Sequence, residues 1–329
     1  NTTYNDRIAG VLSLNFDYGL NQLWQSLLLG CSIFFHEFVF SKDLLNFINK
    51  NKITAIPLMP TIISMLFDGV PSVEKIKKIK NIKYICTSGG HVSLNMINKL
   101  KLIFINSKIY LMYGLTEAFR STYLNPKKIL KKPNSIGQAI PTVKIHVLNK
   151  YHRDCKVNEI GELVHRGGCV SSKYWNDAKN SLKVFRKIKR FKKKNVVFSG
   201  DLVKMDKDRD LYFVARKDQM IKTAGYRVSP TEIEEEFLEI KNIKHVVAFG
   251  MEDKSLGQII FIVYETFNKK KIPENLLISH GKKRLPTYMI PKKFIFKKIF
   301  PTTGNQGKID RKKILINYLK NDQYISKEN

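Results

Sequence analysis

The stretch NIKYICTSGGHVSLNMINKLKLIFINSKIYLMYGLTE, residues 81–117, sets the fold class. Its opening, NIKYICTSGG, reads as a buried strand that ends in a glycine turn. Ser93 stands where its hydroxyl can cap a helix over LNMINKLKLIF, accepting a backbone N–H that the first turn leaves free. KIYLMYG reads as the next strand. Strand, loop, helix and strand in this order predict a layered α/β domain whose ligands sit at the carboxyl ends of its strands.

The end of this stretch gathers unlike chemistry. Tyr113-Gly114-Leu115-Thr116-Glu117 places an aromatic ring, a flexible glycine, a hydroxyl and a carboxylate within five residues. On the residues alone two readings stand: a plain strand-to-loop turn, or a platform for a nucleotide and its metal. Two other stretches share the ambiguity. TSGG, Thr87 to Gly90, is a tight turn or a bare backbone edge that a flat ligand can approach. SGD, Ser199 to Asp201, is a turn or a carboxylate able to accept two hydroxyl hydrogen bonds at once.

Further along, VKIHVLN, GELVHRG, VVFSGDLVKMD and DLYFVAR read as the short strands of a β-rich subdomain. From RKDQMIKTAGYRVSP onward the texture changes. Ser229 and Glu232 have capping-box spacing and Pro230 takes the first helical position, predicting a helix over TEIEEEFLEI. HVVAFGM, QIIFIVYE and KFIFKKI read as strands, with a helix over PENLLISHGKKRL between the last two. The expected boundary lies near Asp218, giving domains over residues 1–217 and 218–318 and a polar tail over 319–329 that frays.

A chain of 329 residues has room for two domains, and 43% hydrophobic with 11% aromatic content excludes a disordered one. Its charge of +30, from 58 Lys+Arg against 28 Asp+Glu, admits nucleic acid, anionic membrane or anionic small-molecule partners. Lysine, asparagine and isoleucine recur everywhere, however, so most of the excess reads as compositional drift. The densest run, KVFRKIKRFKKK at 183–194, is a polyanion patch or a solvated insertion or amphipathic helix, and the second is expected. It lacks any nucleic-acid fold signature, so no nucleic-acid partner is expected. Cys31, Cys86, Cys155 and Cys169 show neither metal-ligand spacing nor a disulfide framework, which predicts a reducing, cytoplasmic setting. LWQSLLLGCSIFF is interrupted by polar residues and too short to span a bilayer, so no transmembrane segment is expected.

TSGG, YGLTE, GELVHRG, YWND, SGDL, RKDQMIKTAGYRVSPTEIEE, LPTYMIP and GKIDR follow one another in this order. In these motifs and their distances the chain resembles the adenylate-forming superfamily: acyl-CoA synthetases, peptide-synthetase adenylation domains and firefly-type luciferases. The resemblance runs from about Asp17 to Lys313. It implies a large nucleotide-binding domain, layered α/β with a β-rich subdomain, followed by a small mobile α+β domain. It also implies ATP, Mg²⁺ and CoA, or a carrier protein's phosphopantetheine, as the molecules bound beside a carboxylic acid substrate.

The resemblance further implies roles. Tyr113 stacks on adenine, next to Gly114, with Ser88, Gly89 and Gly90 as the opposite wall. Thr116 donates to the α-phosphate, Glu117 holds the metal, Asp201 takes both ribose hydroxyls and Arg216 contacts ribose and phosphate. Lys308 matches the mobile catalytic lysine and Asp218 the hinge. Lys222 and Gly225 belong to the turn that lines the thiol passage. His91, just after the glycine pair, is either an acyl-pocket residue or a structural histidine. YGLTE followed by AFRSTYLNP is closer to acyl-CoA ligases than to peptide-synthetase domains, which often read Gly-Pro-Thr-Glu there. AMP-forming thioester synthesis on CoA is therefore the expected activity, with carrier-protein loading as the alternative.

Departures from the pattern are specific. Lys173 stands where relatives usually have glycine, Ser199 replaces a common threonine, and Ala215 replaces the glycine before the arginine. DKDRDLYF lacks the usual turn glycine, and PTTGNQGK is one residue longer than the common spacing to the lysine. No stretch of residues 1–30 resembles the family's Ser/Thr/Gly-rich phosphate loop, and LNFDYGLNQLW looks like the segment that follows it. The expectation is a truncated family member or an inactive remnant, with weak ATP binding and exposed apolar surface if Asn1 is the true start.

Overall fold

A computed structural model describes residues 2–37, 41–67, 76–192, 194–253, 255–303 and 308–317. The polar tail at 319–329 and most of the loop preceding Lys308 lie outside the described residues. The chain forms two compact units, Asn1–Asp218 and Gln219–Asn329.

The first unit opens with β1 (Arg7–Gly10), α1 (Asp17–Leu29), β2 (Ser32–Phe35), α2 (Ser41–Lys50), β3 (Ala55–Leu58) and α3 (Pro60–Leu66). It continues through β4 (Tyr84–Thr87), α4 (Leu94–Ile103) and β5 (Lys108–Leu115). The five strands pair in parallel in the order β2-β1-β3-β4-β5. Helices α2, α3 and α4 cover them because their apolar residues recur at helical spacing. Leu44 and Ile48, Ile63 and Leu66, and Ile97, Leu100 and Ile103 all join one buried cluster with Ile56 and Ile85. Ser93 caps α4 as the sequence predicts, accepting the Met96 N–H at 3.3 Å.

The sheet then changes character. β6 (Ala118–Tyr123), β7 (Ser135–Ala139), β8 (Val143–Leu148) and β9 (Gly161–Gly167) precede α5 (Ala178–Val184). After it come β10 (Phe185–Lys187), β11 (Asn195–Met205) and β12 (Leu211–Arg216). They extend the same sheet in the order β5-β6-β7-β12-β11-β9-β8, every neighbour antiparallel, with β10 also on β11. The handover from parallel to antiparallel pairing is the β5–β6 hairpin, and the YGLTE motif forms its tip.

The described residues of the basic run at 183–194 do not form the amphipathic helix that is one of its expected readings. Its residues end α5, form strand β10 and turn once at Lys189–Phe191. Phe185 on β10 and Phe191 in the turn are buried in two different clusters, so the interleaved apolar residues serve three short elements and not one helical face.

The second unit contains β13 (Ile221–Thr223), β14 (Tyr226–Val228), α6 (Pro230–Leu238), β15 (Ile243–Asp253) and β16 (Gly257–Thr266). α7 (Glu274–Arg284), β17 (Lys293–Phe296), β18 (Thr302–Thr303) and β19 (Lys308–Ile309) complete it. β15 and β16 pair antiparallel and β16 and β17 parallel. Ile233 and Phe237 of α6 and Leu277 of α7 pack on Ile262 and Tyr264 of β16. The Ser229 hydroxyl accepts the Glu232 N–H at 3.2 Å and starts α6 where its capping spacing predicts.

Candidate functional site

The YGLTE stretch is a tight hairpin. Leu115 pairs with Ala118, so Thr116 and Glu117 are the two residues of the turn. Gly114 is required there: a Cβ would stand 2.4 Å from the Arg120 amide nitrogen on the facing strand. The glycine thus closes the hairpin whatever else it does. The Glu117 carboxylate accepts a hydrogen bond from the Tyr174 hydroxyl, and the Thr116 hydroxyl donates to Asp17 at 3.2 Å.

The glycine turn lies alongside. Thr87 at the end of β4 sits beside Leu111, so Ser88, Gly89 and Gly90 leave β4 next to the strand that carries Tyr113. Gly89 has a φ of +86°, the left-handed region that TSGG requires if it is to double back. Gly90 lies over the start of α3, where a Cβ would come 3.3 Å from Pro60 Cγ.

SGD is not a turn but a bulge within the long strand β11. Phe198 pairs with Val164 and Leu202 with Glu162, leaving Ser199-Gly200-Asp201 opposite Leu163 alone. The Ser199 hydroxyl fixes the bulge by donating to the Leu163 carbonyl at 2.7 Å and accepting the Asp201 N–H at 3.0 Å. Bulges re-aim side chains, and this one turns Asp201 toward β12 and Tyr113. Arg216, paired with Asp201 across β11 and β12, donates from Nη1 to Asp201 Oδ1 at 2.7 Å and to the Ser199 carbonyl at 3.0 Å. Gly200, with a φ of +72°, leaves the space that this guanidinium fills. The Tyr113 hydroxyl donates to Asp201 Oδ2.

The structure therefore joins Tyr113, Asp201 and Arg216 into one hydrogen-bonded group in the first unit. Burial pushes the Asp201 carboxyl up while Tyr113 and Arg216 pull it down. Burial and the adjacent Asp201 charge hold the Tyr113 phenol well above its usual range. His165 stacks on the Tyr113 ring at 6.0 Å, and burial lowers its imidazole to about 3. His91 is pushed down to about 4 by burial and is neutral at physiological pH.

Asp218 is exposed and lies 3.8 Å from Arg216 Nε as the last residue of the first unit. Lys222, Gly225 and Lys308 belong to the second. Lys222 and Gly225 lie in the β13–β14 hairpin, whose turn residues Ala224 and Gly225 have φ of +49° and +80°. Lys308 is exposed on β19, paired with Thr303.

Three supporting residues escape sequence reasoning: Asp17, His165 and Tyr174. Each lies inside or beside a recognised motif, but spacing does not say which side chain turns toward Glu117 or Tyr113. The missing turn glycine in DKDRDLYF also finds its account, since Arg209 takes the left-handed position with a φ of +64°. In that turn Asp206, Asp208 and Asp210 bring their carboxylates together. The Lys132 ammonium sits among them at 2.6, 2.8 and 2.6 Å and supplies the counter-charge.

The donor set suits a nucleotide and a hard cation. An ionised carboxylate offers about four acceptor positions, so Asp201 keeps capacity for two hydroxyls beyond its bonds to Tyr113 and Arg216. Glu117 keeps one oxygen beyond its bond to Tyr174, and Mg²⁺ is held through one or two such carboxylates plus substrate phosphates.

Known proteins share the fold and the family. The chain is 27% identical to gramicidin S synthase 1 of Brevibacillus brevis over 95% of its length, covering 28% of that protein. It is 28% identical to a long-chain-fatty-acid–CoA ligase of Bacillus subtilis over 94% of its length, covering 54% of that protein. Among solved structures, o-succinylbenzoate CoA synthetase from Bacillus subtilis, in complex with its acyl-adenylate intermediate, matches with a TM-score of 0.82 at 24% identity. That match covers 95% of this chain and 61% of the other and shows a shared mixed α/β fold. The chain thus spans about a quarter to about half of these curated relatives. Residues 1–175 match the family described as AMP-binding enzyme, and with the fold and the motif-bearing residues above, the chain belongs to that family, within the adenylate-forming superfamily.

Proposed function

We propose that this chain carries the nucleotide site of an AMP-forming acid–thiol ligase, with CoA as the acceptor. The observation that supports it best is the Tyr113–Asp201–Arg216 group, which presents an aromatic face, a buried bifunctional acceptor and a guanidinium together. In this reading Tyr113 stacks on adenine against the Ser88–Gly90 wall, with Gly114 keeping the strand thin beside it. Such stacking is worth about 1–3 kcal/mol. Asp201 accepts the ribose hydroxyls and Arg216 reaches ribose and phosphate.

The chemistry has two steps. A carboxylate oxygen of the acid attacks the α-phosphorus of ATP, and pyrophosphate leaves. The sulfur of the thiol then attacks the acyl carbon, the thiol gives up its proton, and AMP leaves. Thr116 donates its hydroxyl to an α-phosphate oxygen in the first step, where charge grows, so its bond strengthens toward the transition state. Glu117 would hold Mg²⁺, which when bound neutralises charge on phosphate oxygens. Lys308 supplies an ammonium to the same developing charge. Asp218 is the hinge at which the small domain expected over residues 218–318 exchanges Lys308 for the Lys222–Arg227 turn, and Gly225 leaves room for pantetheine. The mobility of that unit and the family relationship of residues 1–217 to the large domain belong to this reading.

The alternative acceptor is the phosphopantetheine of a carrier protein. The similarity to gramicidin S synthase 1 and the charge of +30, which would suit an acidic carrier, favour it. Saturable thioester formation with a carrier but not with CoA would decide for it.

Lys308→Ala tests the assignment in the complete gene product. Acid-dependent ATP–pyrophosphate exchange should fall by about 10²-fold or more, while a preformed acyl-adenylate is still converted to thioester. Equal loss of both half-reactions sinks the role given to Lys308.

A further inference from the structure

Strand β6 carries an irregularity that the nucleotide site does not use. Tyr113 pairs with Thr122 and Leu115 with Ala118, so Phe119, Arg120 and Ser121 bulge opposite Gly114 alone. Arg120 takes a φ of +43°, a left-handed conformation that a residue with a Cβ adopts at a cost. The bulge sends its guanidinium onto the ring of Tyr18, with Cζ 4.7 Å from the centroid and 5.2 Å from that of Phe119.

Among the described residues no carboxylate pairs with this half-buried guanidinium. Its Nε and Nη2 are shut off from solvent and find no hydrogen-bond partner among the described residues. Tyr18 is buried and its phenol held well above the usual range by burial. Burial raises the nearby Cys86 thiol to about 11 although Arg120 opposes it. Neither neighbour therefore offers negative charge at neutral pH, and a guanidinium does not deprotonate. The strands flanking β5 carry two more buried hydroxyls without partners among the described residues, those of Thr87 and Ser121. Unpaired buried donors call for a bound partner, since leaving a charged donor unmet costs more than an ordinary hydrogen bond returns. The place also adjoins the chemistry: Asp17, next to Tyr18, accepts the Thr116 hydroxyl of the hairpin tip at 3.2 Å.

From this geometry we infer that Arg120 is a specificity residue for the acid substrate, binding a second anionic group, a carboxylate, at the end remote from the reacting one. The inference rests on the ligase reading. A guanidinium gripping the reacting carboxylate would stabilise the ground state and draw charge from the nucleophile. A second carboxylate has no such conflict, and the planar fork suits it.

The test compares matched pairs of straight-chain acids, hexanoate with adipate through decanoate with sebacate, in ATP–pyrophosphate exchange by the complete gene product. Equilibrium dialysis of the same labelled acids gives a readout without turnover. The expected result is a dicarboxylate preference at one or more chain lengths, with Arg120→Met lowering the ratio of dicarboxylate to monocarboxylate kcat/KM by about tenfold or more. Arg120→Lys should lower it less, because it keeps the charge but not the fork. If Arg120→Met does not fold, an unchanged ratio in Arg120→Lys overturns the inference. Equal loss for both acids in Arg120→Met overturns it too, giving Arg120 to the reacting carboxylate or to the fold. Preference for monocarboxylates at every length does the same. If no acid supports exchange, the ligase reading fails separately, and dialysis still decides: tighter dicarboxylate binding that Arg120→Met abolishes supports the inference, and its absence ends it.

Discussion

At the scale of single residues, the site is organised by where a Cβ cannot go. Gly114 faces the Arg120 backbone so closely that an added methyl would have to displace the strand, not a flexible side chain. Gly114→Ala should cost about 2–3 kcal/mol in urea denaturation, in the range of overpacked cores. Gly168→Ala, whose Cβ would lie 3.6 Å from Thr142 Oγ1, is the control and should stay within about 0.5 kcal/mol. A near-neutral Gly114→Ala would show that the hairpin can open. YGLTE was legible as a site because its residue types are unlike, yet the tight approach of Gly114 to Arg120 was not, since it depends on a strand six residues away.

At the scale of elements, the β13–β14 hairpin shows local chemistry in conflict with geometry. Its two turn residues both have positive φ, the signature of a type I′ turn, which favours Asn-Gly. Gly225 fits without strain, whereas Ala224 carries a Cβ into the left-handed region. Ala224→Asn should raise stability by about 0.5–1 kcal/mol in chemical denaturation, and no gain would mean that the turn relaxes in solution. KTAGYR was readable as a motif but not as a hairpin, because Thr-Ala-Gly is a weak turn signal. The capped helices α4 and α6 are the opposite case: Ser93 and Ser229 announce them, and both caps form.

At the scale of the whole molecule, the antiparallel half of the sheet buries His165 behind Tyr113 with neither ring nitrogen partnered among the described residues. The folded imidazole takes a proton only near pH 3, against an ordinary value of 6.5. Between these values the unfolded chain binds more protons, so stability falls as pH drops from about 6.5 toward 3. His165→Phe should keep the stacked ring and remove this loss, gaining stability relative to wild type at pH 5 beyond any gain at pH 7.5. Parallel curves for the two proteins across that range would place the acid sensitivity elsewhere. At the opposite side of the same unit, Trp24, Leu27 and Leu28 of α1 and Phe35 of β2 are exposed, with Leu28 at 85%. β2 pairs only with β1 among the described strands. No helix among the described residues is long and apolar enough to cross a membrane.

By itself the sequence determined the α/β class of the first unit, nine of the strands (β4, β5, β8, β9, β11, β12, β15, β16 and β17), the capped helices and the family. Each rests on information local in the chain: a repeat of two or of 3.6 residues, a serine before an apolar run, a motif of fixed spacing. Tertiary structure alone decided that SGD is a bulge, that 183–194 contains an edge strand, and that Tyr113, Asp201 and Arg216 meet. It alone revealed Arg120 against the Tyr18 ring, with Nε and Nη2 unpartnered among the described residues. Strand registers, the bulges and the contact of Arg120 with Tyr18 depend on how strands and helices meet in the fold, and one residue of slip in a strand would turn its side chains to the other face of the sheet.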